Sequence, residues 1–155
     1  MKIALGADHA GFQLKEKIKQ HLMQKGIQVD DRGTNSTESV DYPDFARAVG
    51  EEVAAKQTDW GILVCGTGMG MAMAANKVPG VRAASVDTEL EAQLSREHNH
   101  ANVLALGARI LDDNTALKIV DRWLDTPFGG GRHDRRVAKI SEIERAEMTK
   151  MAAGR

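Results

Sequence analysis

The residues with the clearest chemical potential form a glycine-rich turn around the only cysteine of the chain. Cys65-Gly66-Thr67-Gly68-Met69-Gly70 places a thiol and a hydroxyl among glycines, whose backbone N–H groups can approach a ligand closely. Such a turn between a strand and a helix favours an anion or a developing negative charge. A lone cysteine is more often a small buried apolar side chain, so the thiol by itself leaves both roles open.

A second turn of this kind lies near the start of the chain. Gly6-Ala7-Asp8-His9-Ala10-Gly11 combines a carboxylate and an imidazole with two glycines, a set that suits hydroxyl and phosphate groups. Asp8 could also serve only as a helix cap. Neither turn ends in the Gly-Lys-Ser/Thr of a P-loop. The Cys65 turn is one residue too tight for a dinucleotide motif, although Asp87 follows at about the expected 20 residues.

Histidines and arginines supply two further candidate groups. His98 and Asn99 lie in the loop before the fifth predicted strand, and Arg132 and Arg136 open the last predicted helix. Positive charges are opposed by the dipole at a helix start, so these two arginines, with Arg135 between them, suggest an anionic partner such as phosphate. A solvated surface cluster is the alternative. Arg109, just after the fifth strand, is another candidate for that partner.

The remaining histidines and acids do not suggest a metal centre. The sequence has no His-x-x-x-His and no Asp/Glu grouping at ligand spacing, and a single cysteine excludes an internal disulfide. His21 and His133 are interpreted as solvated surface residues. The predicted chemistry is acid–base work plus anion binding, without a cofactor.

The elements that must position these residues alternate along the chain. Apolar runs predict five strands, at residues 2–6, 27–29, 59–64, 81–86 and 101–106. Helices are predicted between these strands and after the last one. This order predicts an α/β fold, a Rossmann-like doubly wound sheet of five parallel strands with helices on both faces. Gly26 is predicted to end the first helix, and Thr88 and Asn114 to cap the fourth and fifth.

The candidate groups fall at opposite edges of this predicted sheet. Ligands bind beyond the carboxyl ends of parallel strands, where the Asp8 and Cys65 turns lie. The His98 loop precedes a strand and therefore falls at the amino edge, where it cannot reach Cys65 within one chain. The last helix carries Ile140 and Ile143 but has little sheet left to cover. We therefore predict that it packs on a second subunit, which could bring the two groups together.

Length and charge limit the class of protein. The 155 residues suffice for one domain with a full core, predicted over residues 1–144, followed by a polar tail over residues 145–155. The formal charge of -1, from 21 basic and 22 acidic residues, gives no overall attraction to nucleic acid or to an anionic membrane. Asp8 interrupts the first apolar run before it reaches the length of a signal peptide or a membrane span. We expect a cytoplasmic protein.

Taken together, these motifs resemble the ribose-5-phosphate isomerase B group of the sugar-phosphate isomerase family, which includes galactose-6-phosphate isomerase. The similarity runs in order from Lys2 to about Glu144, through Gly6-x-Asp8-His9-x-Gly11, Asp41-Tyr42-Pro43, Cys65-Gly66-Thr67-Gly68-x-Gly70, Ala74-Ala75-Asn76-Lys77, His98-Asn99-x-x-Asn102-Val103-Leu104 and Gly130-Gly131-Arg132-His133-x-x-Arg136. It implies metal-free interconversion of D-ribose 5-phosphate and D-ribulose 5-phosphate in the pentose phosphate pathway. It also implies a homodimer whose active sites are shared between subunits, with a dimer of dimers left open.

The resemblance implies a role for each site residue. Cys65 would be the general base, Thr67 would help stabilise a cis-enediolate, and His98 would help open the furanose ring. The implied substrate-binding residues are Asp8, His9, Asp41, Tyr42, Gly66, Gly68, Met69, Gly70, Asn99, Arg109, Arg132 and Arg136. Of these, the implied phosphate ligands are His9, Arg109, Arg132 and Arg136. Some members carry a glutamate base just past the glycine turn, where this chain has Met71 and keeps the cysteine.

Two alternative functions remain open. A sister isomerase acting on galactose 6-phosphate or allose 6-phosphate would differ in pocket length, which the sequence does not measure. A non-catalytic sensor of a sugar phosphate or nucleotide could use the same sheet. The presence of Cys65, Thr67 and His98 together disfavours the sensor.

Overall fold

The apolar runs form a parallel sheet between two layers of helices in the computed structural model, which describes residues 1–154. The strands are β1 (Lys2–Ala7), β2 (Gln28–Asp31), β3 (Trp60–Cys65), β4 (Ala83–Ser85) and β5 (Val103–Gly107). The helices are α1 (Phe12–Gln24), α2 (Tyr42–Ala54), α3 (Met69–Ala75), α4 (Glu89–Glu97), α5 (Asp113–Asp125) and α6 (Arg132–Ala153). The fold class predicted from the sequence is confirmed.

The strand order places three strand ends beside one another. The order is β2-β1-β3-β5-β4, and every neighbouring pair is parallel. The chain moves from β1 to the edge strand β2 and then crosses back to β3, so the winding reverses between β1 and β3. Ala7 of β1 pairs with Val64 of β3, and Cys65 pairs with Gly107 of β5. The turns after these strands therefore share one edge, at the crevice where open α/β sheets bind ligands.

Helices cover both faces of the sheet, and each face has its own apolar core. Side chains of α1, α4 and α5, including Ile18 and Trp123, pack on one face. Side chains of α2 and α3, including Val49 and Met71, pack on the other. Because both faces are covered, the β3 segment is apolar throughout rather than alternating.

Helix α6 stands apart from this arrangement, since none of its described residues is buried. Ile140 and Ile143 are 46% and 65% exposed. Its main polar tie to the rest of the chain is the Glu144 carboxylate, which accepts the N–H of Gly80 at 3.0 and 3.1 Å. The helix continues past position 144 to Ala153, so the division between domain and tail stays a prediction. No helix within residues 1–154 has the length and apolar character needed to cross a membrane.

Most predicted element ends agree with the structure, and one cap does not. Gly26 follows α1 with φ +78, and the Thr88 hydroxyl accepts the N–H of the residue three positions later in α4. The prediction that Asn114 caps α5 is wrong. Asp112 is the cap, and its carboxylate accepts an N–H at 2.8 Å, because aspartate caps as well as asparagine and α5 begins two residues earlier than predicted. The fourth strand is shorter than predicted, covering Ala83–Ser85.

Candidate active site

The turn between β3 and α3 directs a backbone donor at the cysteine. Cys65 ends β3 and is 4% exposed. The N–H of Gly68 donates a hydrogen bond to its Sγ at 3.2 Å, which is possible because Gly68 adopts φ +82. The next N–H, of Met69, donates to the Thr67 hydroxyl at 3.2 Å. The turn thus holds a thiol and a hydroxyl, each in contact with a backbone donor.

The segment after β5 holds this turn in place. The N–H groups of Ala108 and Arg109 donate to the carbonyls of Cys65 and Gly66 at 2.8 and 2.9 Å. The Arg109 guanidinium lies over Gly66, where an added Cβ would stand 3.0 Å from Nη1. An added Cβ on Gly107 would stand only 2.7 Å from the Thr67 carbonyl group. The backbone of residues 107–109 therefore packs against the thiol turn, and the Arg109 guanidinium lies beside it.

Asp8 lies beside the thiol turn at the end of β1. Its N–H donates to the Val64 carbonyl at 3.2 Å, and its side chain is buried. One oxygen, Oδ1, accepts the N–H groups of Ala10 and Gly11, both at 3.0 Å. The Asp8 carboxylate therefore closes the turn before α1 but does not cap the helix, because the N-cap is Gly11 and makes no side-chain cap hydrogen bond. Its other oxygen makes no hydrogen bond to any residue in the described part of the chain.

The turn after β1 and the start of α2 add three more predicted residues to this edge. Nδ1 of His9 accepts the N–H of Val40 at 3.1 Å, so a neutral ring carries its proton on Nε2. Tyr42 packs its ring over the first turn of α3, where a Cβ on Gly70 would stand 2.8 Å from Cζ. Asp41 precedes α2 without capping it through its side chain.

The second predicted group lies at the amino edge of the sheet, as expected. His98 follows α4, and its ring stacks on that of His133 with centroids 4.3 Å apart and planes at 14°. Asn99 is exposed in the same loop, and Arg132 and Arg136 lie in the first turns of α6. Cys65 pairs with the opposite end of β5, so one chain does not bring these residues to the thiol.

His133, interpreted from the sequence as a solvated surface residue, is half-exposed, and its ring stacks on the predicted site residue His98. Desolvation and the neighbouring His98, Arg132 and Arg136 lower the pKa of His133, which marks a locally positive environment. The triple glycine before α6 is the sequence feature that could have indicated this contact, because it allows the chain to turn back toward the end of α4. There the N–H of Gly129 donates to the Glu97 carbonyl at 2.9 Å.

Arg96 was also missed, because its neighbours in the sequence suggest a solvated helix end. It is 4% exposed, with its guanidinium 4.2 Å from the ring centroid of Trp60 and 5.4 Å from that of Trp123. Its Nη1 donates to the Ala101 carbonyl. Burial is the main cause of the lowered pKa of Arg96. This cation supports the turn that carries His98.

Comparison with known proteins identifies the family. The family model described as Ribose/Galactose Isomerase matches residues 3–140. The chain belongs to the ribose/galactose isomerase family. It is 50% identical over 143 residues to ribose-5-phosphate isomerase B of Escherichia coli (strain K12), covering 92% of this chain and 96% of that protein.

Solved structures agree with this family and with the sheet. The chain is similar to Clostridium thermocellum ribose-5-phosphate isomerase B, with a TM-score of 0.94, 52% identity and coverage of 95% of this chain and 99% of that one. It is also similar to ribose-5-phosphate isomerase B from Mycoplasma genitalium with bound ribulose-5-phosphate, with a TM-score of 0.90, 46% identity and coverage of 93% and 96%. The family resemblance expected from the motifs is thereby confirmed.

Two features bear on the chemistry available to this family member. Met71, at the position where the resemblance places a glutamate base in other members, is fully buried and packs in the α2–α3 core. No acid stands there, and Cys65 is the thiol at the site. Within residues 1–154, no three His, Cys, Asp or Glu side chains are grouped as metal ligands would be.

Proposed function

We propose that this isomerase interconverts D-ribose 5-phosphate and D-ribulose 5-phosphate by proton transfer through a cis-enediolate. The observation that carries the proposal is the Cys65 thiol, which contacts the Gly68 N–H at 3.2 Å in the crevice that also holds Asp8 and His9. The similarity to ribose-5-phosphate isomerase B of Escherichia coli, and to the Mycoplasma genitalium enzyme with bound ribulose-5-phosphate, supports the choice of substrate.

The proton transfer follows from the thiol turn. The Cys65 thiolate removes the proton from C2 of the open-chain aldose, and negative charge develops on O1. A proton passes from O2 to O1, and the Cys65 thiol, which exchanges its proton with solvent during the lifetime of the enediolate, protonates C1 to give the ketose. The Gly68 N–H stabilises the sulfur while it is negative. The Thr67 hydroxyl and the free N–H groups of the turn stabilise the enediolate oxygens, a type of contact worth roughly 2.7 to 4 kcal/mol.

The other substrate contacts from the same chain lie at the carboxyl edge of the sheet. Asp8 offers its unoccupied oxygen to sugar hydroxyls, and His9 donates from Nε2 to the phosphate, with Arg109 as a second phosphate ligand. Asp41 and Tyr42 line this half of the site.

The second half of the site belongs to another subunit. His98, which opens the furanose ring, and Asn99 come with Arg132 and Arg136 from the partner. Arg132 and Arg136 lie close enough to His133 to lower its pKa, and their two charges form a positive group suited to a phosphate. The active assembly is accordingly a homodimer, with a dimer of dimers as a further possibility. It works without metal or cofactor in the cytoplasm.

A coupled assay on the purified chain tests the substrate. We expect a kcat/KM for ribose 5-phosphate well above those for allose 6-phosphate and galactose 6-phosphate. Preference for a six-carbon substrate would overturn the substrate and leave the family intact. Turnover of none of them, with binding retained, would favour the non-catalytic sensor.

Cys65→Ala tests the mechanism. Loss of a general base typically costs 10²- to 10⁴-fold, so kcat is expected to fall by about that factor while the circular dichroism spectrum is unchanged. Turnover in heavy water is expected to place deuterium on C1 of ribulose 5-phosphate. Substantial activity of the Cys65→Ala variant would remove this residue as the base. Complete retention of the original hydrogen would indicate hydride transfer instead.

Mixing two inactive variants tests the shared site. Cys65→Ala and His98→Asn each damage every site of their own homodimer. A mixed dimer contains one site with both intact residues, so co-refolded variants are expected to regain a measurable fraction of wild-type activity. If the mixture stays as inactive as its components under conditions that exchange subunits, the two residues do not act across an interface.

A further inference from the structure

The most deeply buried charge among residues 1–154 is the ammonium group of Lys15 on α1, which is fully buried. Its Nζ donates to both carboxylate oxygens of Asp31 at 2.7 Å, and to Glu16 at 3.2 Å. Burial raises the pKa of Asp31, but hydrogen bonds from Lys15, from the Gly33 N–H and from the more exposed Lys19, whose Nζ donates to Oδ2 at 2.9 Å, outweigh it and hold that pKa below its ordinary value. A buried ion pair is costly and is weak support for stability alone, so its place in the fold needs another reason.

That reason lies at the carboxyl end of β2. Oδ1 of Asp31 also accepts the N–H of Gly33 at 2.9 Å. The Gly33 carbonyl accepts the N–H of Ala7 at 2.6 Å, and the N–H of Thr34 donates to the Ala7 carbonyl at 2.8 Å. The ion pair therefore fixes the chain, at the point where it leaves β2, against the last residue of β1.

The far end of the same loop is tied to His9. After crossing the carboxyl edge, the loop over residues 32–41 returns, and Val40 donates its N–H to Nδ1 of His9. The loop is thus fastened to Ala7 and His9, the two neighbours of Asp8. A shift at the Gly33 end moves the N–H that sets both the orientation and the tautomer of the His9 ring.

We propose that the buried Lys15–Asp31 pair is a positioning device for substrate binding. It holds loop 32–41 in register, so that Val40 orients His9 toward the substrate phosphate and the Asp41–Tyr42 corner faces the sugar. The inference rests on the proposed function in one respect, which is that His9 is a phosphate ligand. Lys15 and Asp31 touch no substrate and act only through the loop.

Lys15→Met is the first test, with Lys17→Met as the matched control. Both residues lie on α1 and both pair with an aspartate, but Lys17 pairs with Asp113 of α5, away from the loop. The loss of about one hydrogen bond at His9 predicts a rise of roughly tenfold in KM for ribose 5-phosphate in Lys15→Met, with a much smaller change in kcat. The dissociation constant of inorganic phosphate, measured by calorimetry, is expected to rise by a similar factor. Lys17→Met is expected to match wild type in both.

The double variant Lys15→Met, Asp31→Leu separates positioning from stability. Replacing both charges with apolar side chains is expected to restore a melting temperature close to wild type, because no unpaired charge is left buried. The double variant still lacks the Asp31 carboxylate that accepts the Gly33 N–H. Both KM and the phosphate dissociation constant should therefore stay raised, at temperatures where every variant is folded.

The outcomes are distinct. Wild-type binding in Lys15→Met, or recovery of binding together with stability in the double variant, overturns the positioning role. Should Lys15→Met fail to fold, the double variant alone decides. Val40→Pro, which removes the N–H that His9 accepts at the α2 end of the loop, is expected to raise the phosphate dissociation constant in the same way, and unchanged binding there also contradicts the proposal. Inactivity of wild type on every sugar phosphate counts against the proposed function, while calorimetry with phosphate still tests the loop.

Discussion

Glu52 provides a test of stability that is independent of catalysis. Its side chain lies on α2 and is 6% exposed, and Oε2 has no hydrogen-bond partner within residues 1–154. Burial is the main reason that the pKa of Glu52 rises to about 7, and the adjacent Asp30 carboxylate adds to the rise. Arg32 and Lys2 oppose it only in part.

The direction of the effect follows from proton binding in the two states. The unfolded chain releases this proton near pH 4.5, whereas the folded protein keeps it up to about pH 7. Between these values the folded state binds more protons, so its stability falls as the pH rises through the window. The difference in pKa corresponds to up to about 3 kcal/mol of unfolding free energy, which is lost in full above about pH 8.

Glu52→Gln removes the charge and keeps the shape of the side chain. Relative to wild type, we expect little change in unfolding free energy at pH 5 and a gain of about 2 to 3 kcal/mol at pH 8. Urea denaturation followed by circular dichroism from pH 5 to 8 measures this, at one protein concentration because association shifts the midpoint. Glu51→Gln is the control, since Glu51 is exposed and pairs with Arg47 on the surface. If Glu52→Gln is no more stable than wild type at pH 8, the reasoning about this buried carboxyl is refuted.

Three other substitutions and a chelator test follow from the same structure. Gly70→Ala would place a Cβ 2.8 Å from Cζ of Tyr42, so the ring is expected to be displaced and KM to rise severalfold with the fold intact. Gly107→Ala would place a Cβ 2.7 Å from the backbone of Thr67, which cannot rotate away, so kcat is expected to fall more than in the Gly70 variant. Asp112→Ala removes the cap of α5, and thermal melts should show a loss of about 1 kcal/mol with unchanged kcat. Dialysis against a chelator is expected to leave turnover unchanged, and a loss that a divalent metal restores would contradict metal-free catalysis.

The sheet and the thiol turn were predictable because their determinants are local. An uninterrupted apolar run before Cys65 predicts a strand covered on both faces, and the glycines after it predict a tight turn into a helix. Asp112 and Asn114 are both residues that favour the N-cap position, and the local sequence pattern does not determine which of them caps α5. The error there was of two positions in a cap and did not affect the site.

The unpredicted contacts join residues that are far apart along the chain. Arg96 lies among polar neighbours, and nothing local indicates that Trp60 and Trp123 enclose it. The same holds for His98 and His133, whose stacking depends on the path of the chain after α5. Such contacts follow from tertiary packing, which pattern and propensity do not report.

The position of His98 makes a second subunit a requirement of the proposed mechanism. Strand β5 runs from Val103, just after the His98 loop, to Gly107, which pairs with Cys65. Four steps along a parallel strand cover about 13 Å, and His98 lies several residues further back. General acid and base groups must come within about 3 Å of the protons they transfer. Cys65 and His98 of one chain therefore cannot both contact one five-carbon sugar. A partner subunit whose α4–β5 loop and α6 cover the carboxyl edge would bring its His98 to the Cys65 of this chain. The exposed apolar side chains of α6 are consistent with such packing, since a helix with no buried residue contributes little to the fold of its own chain.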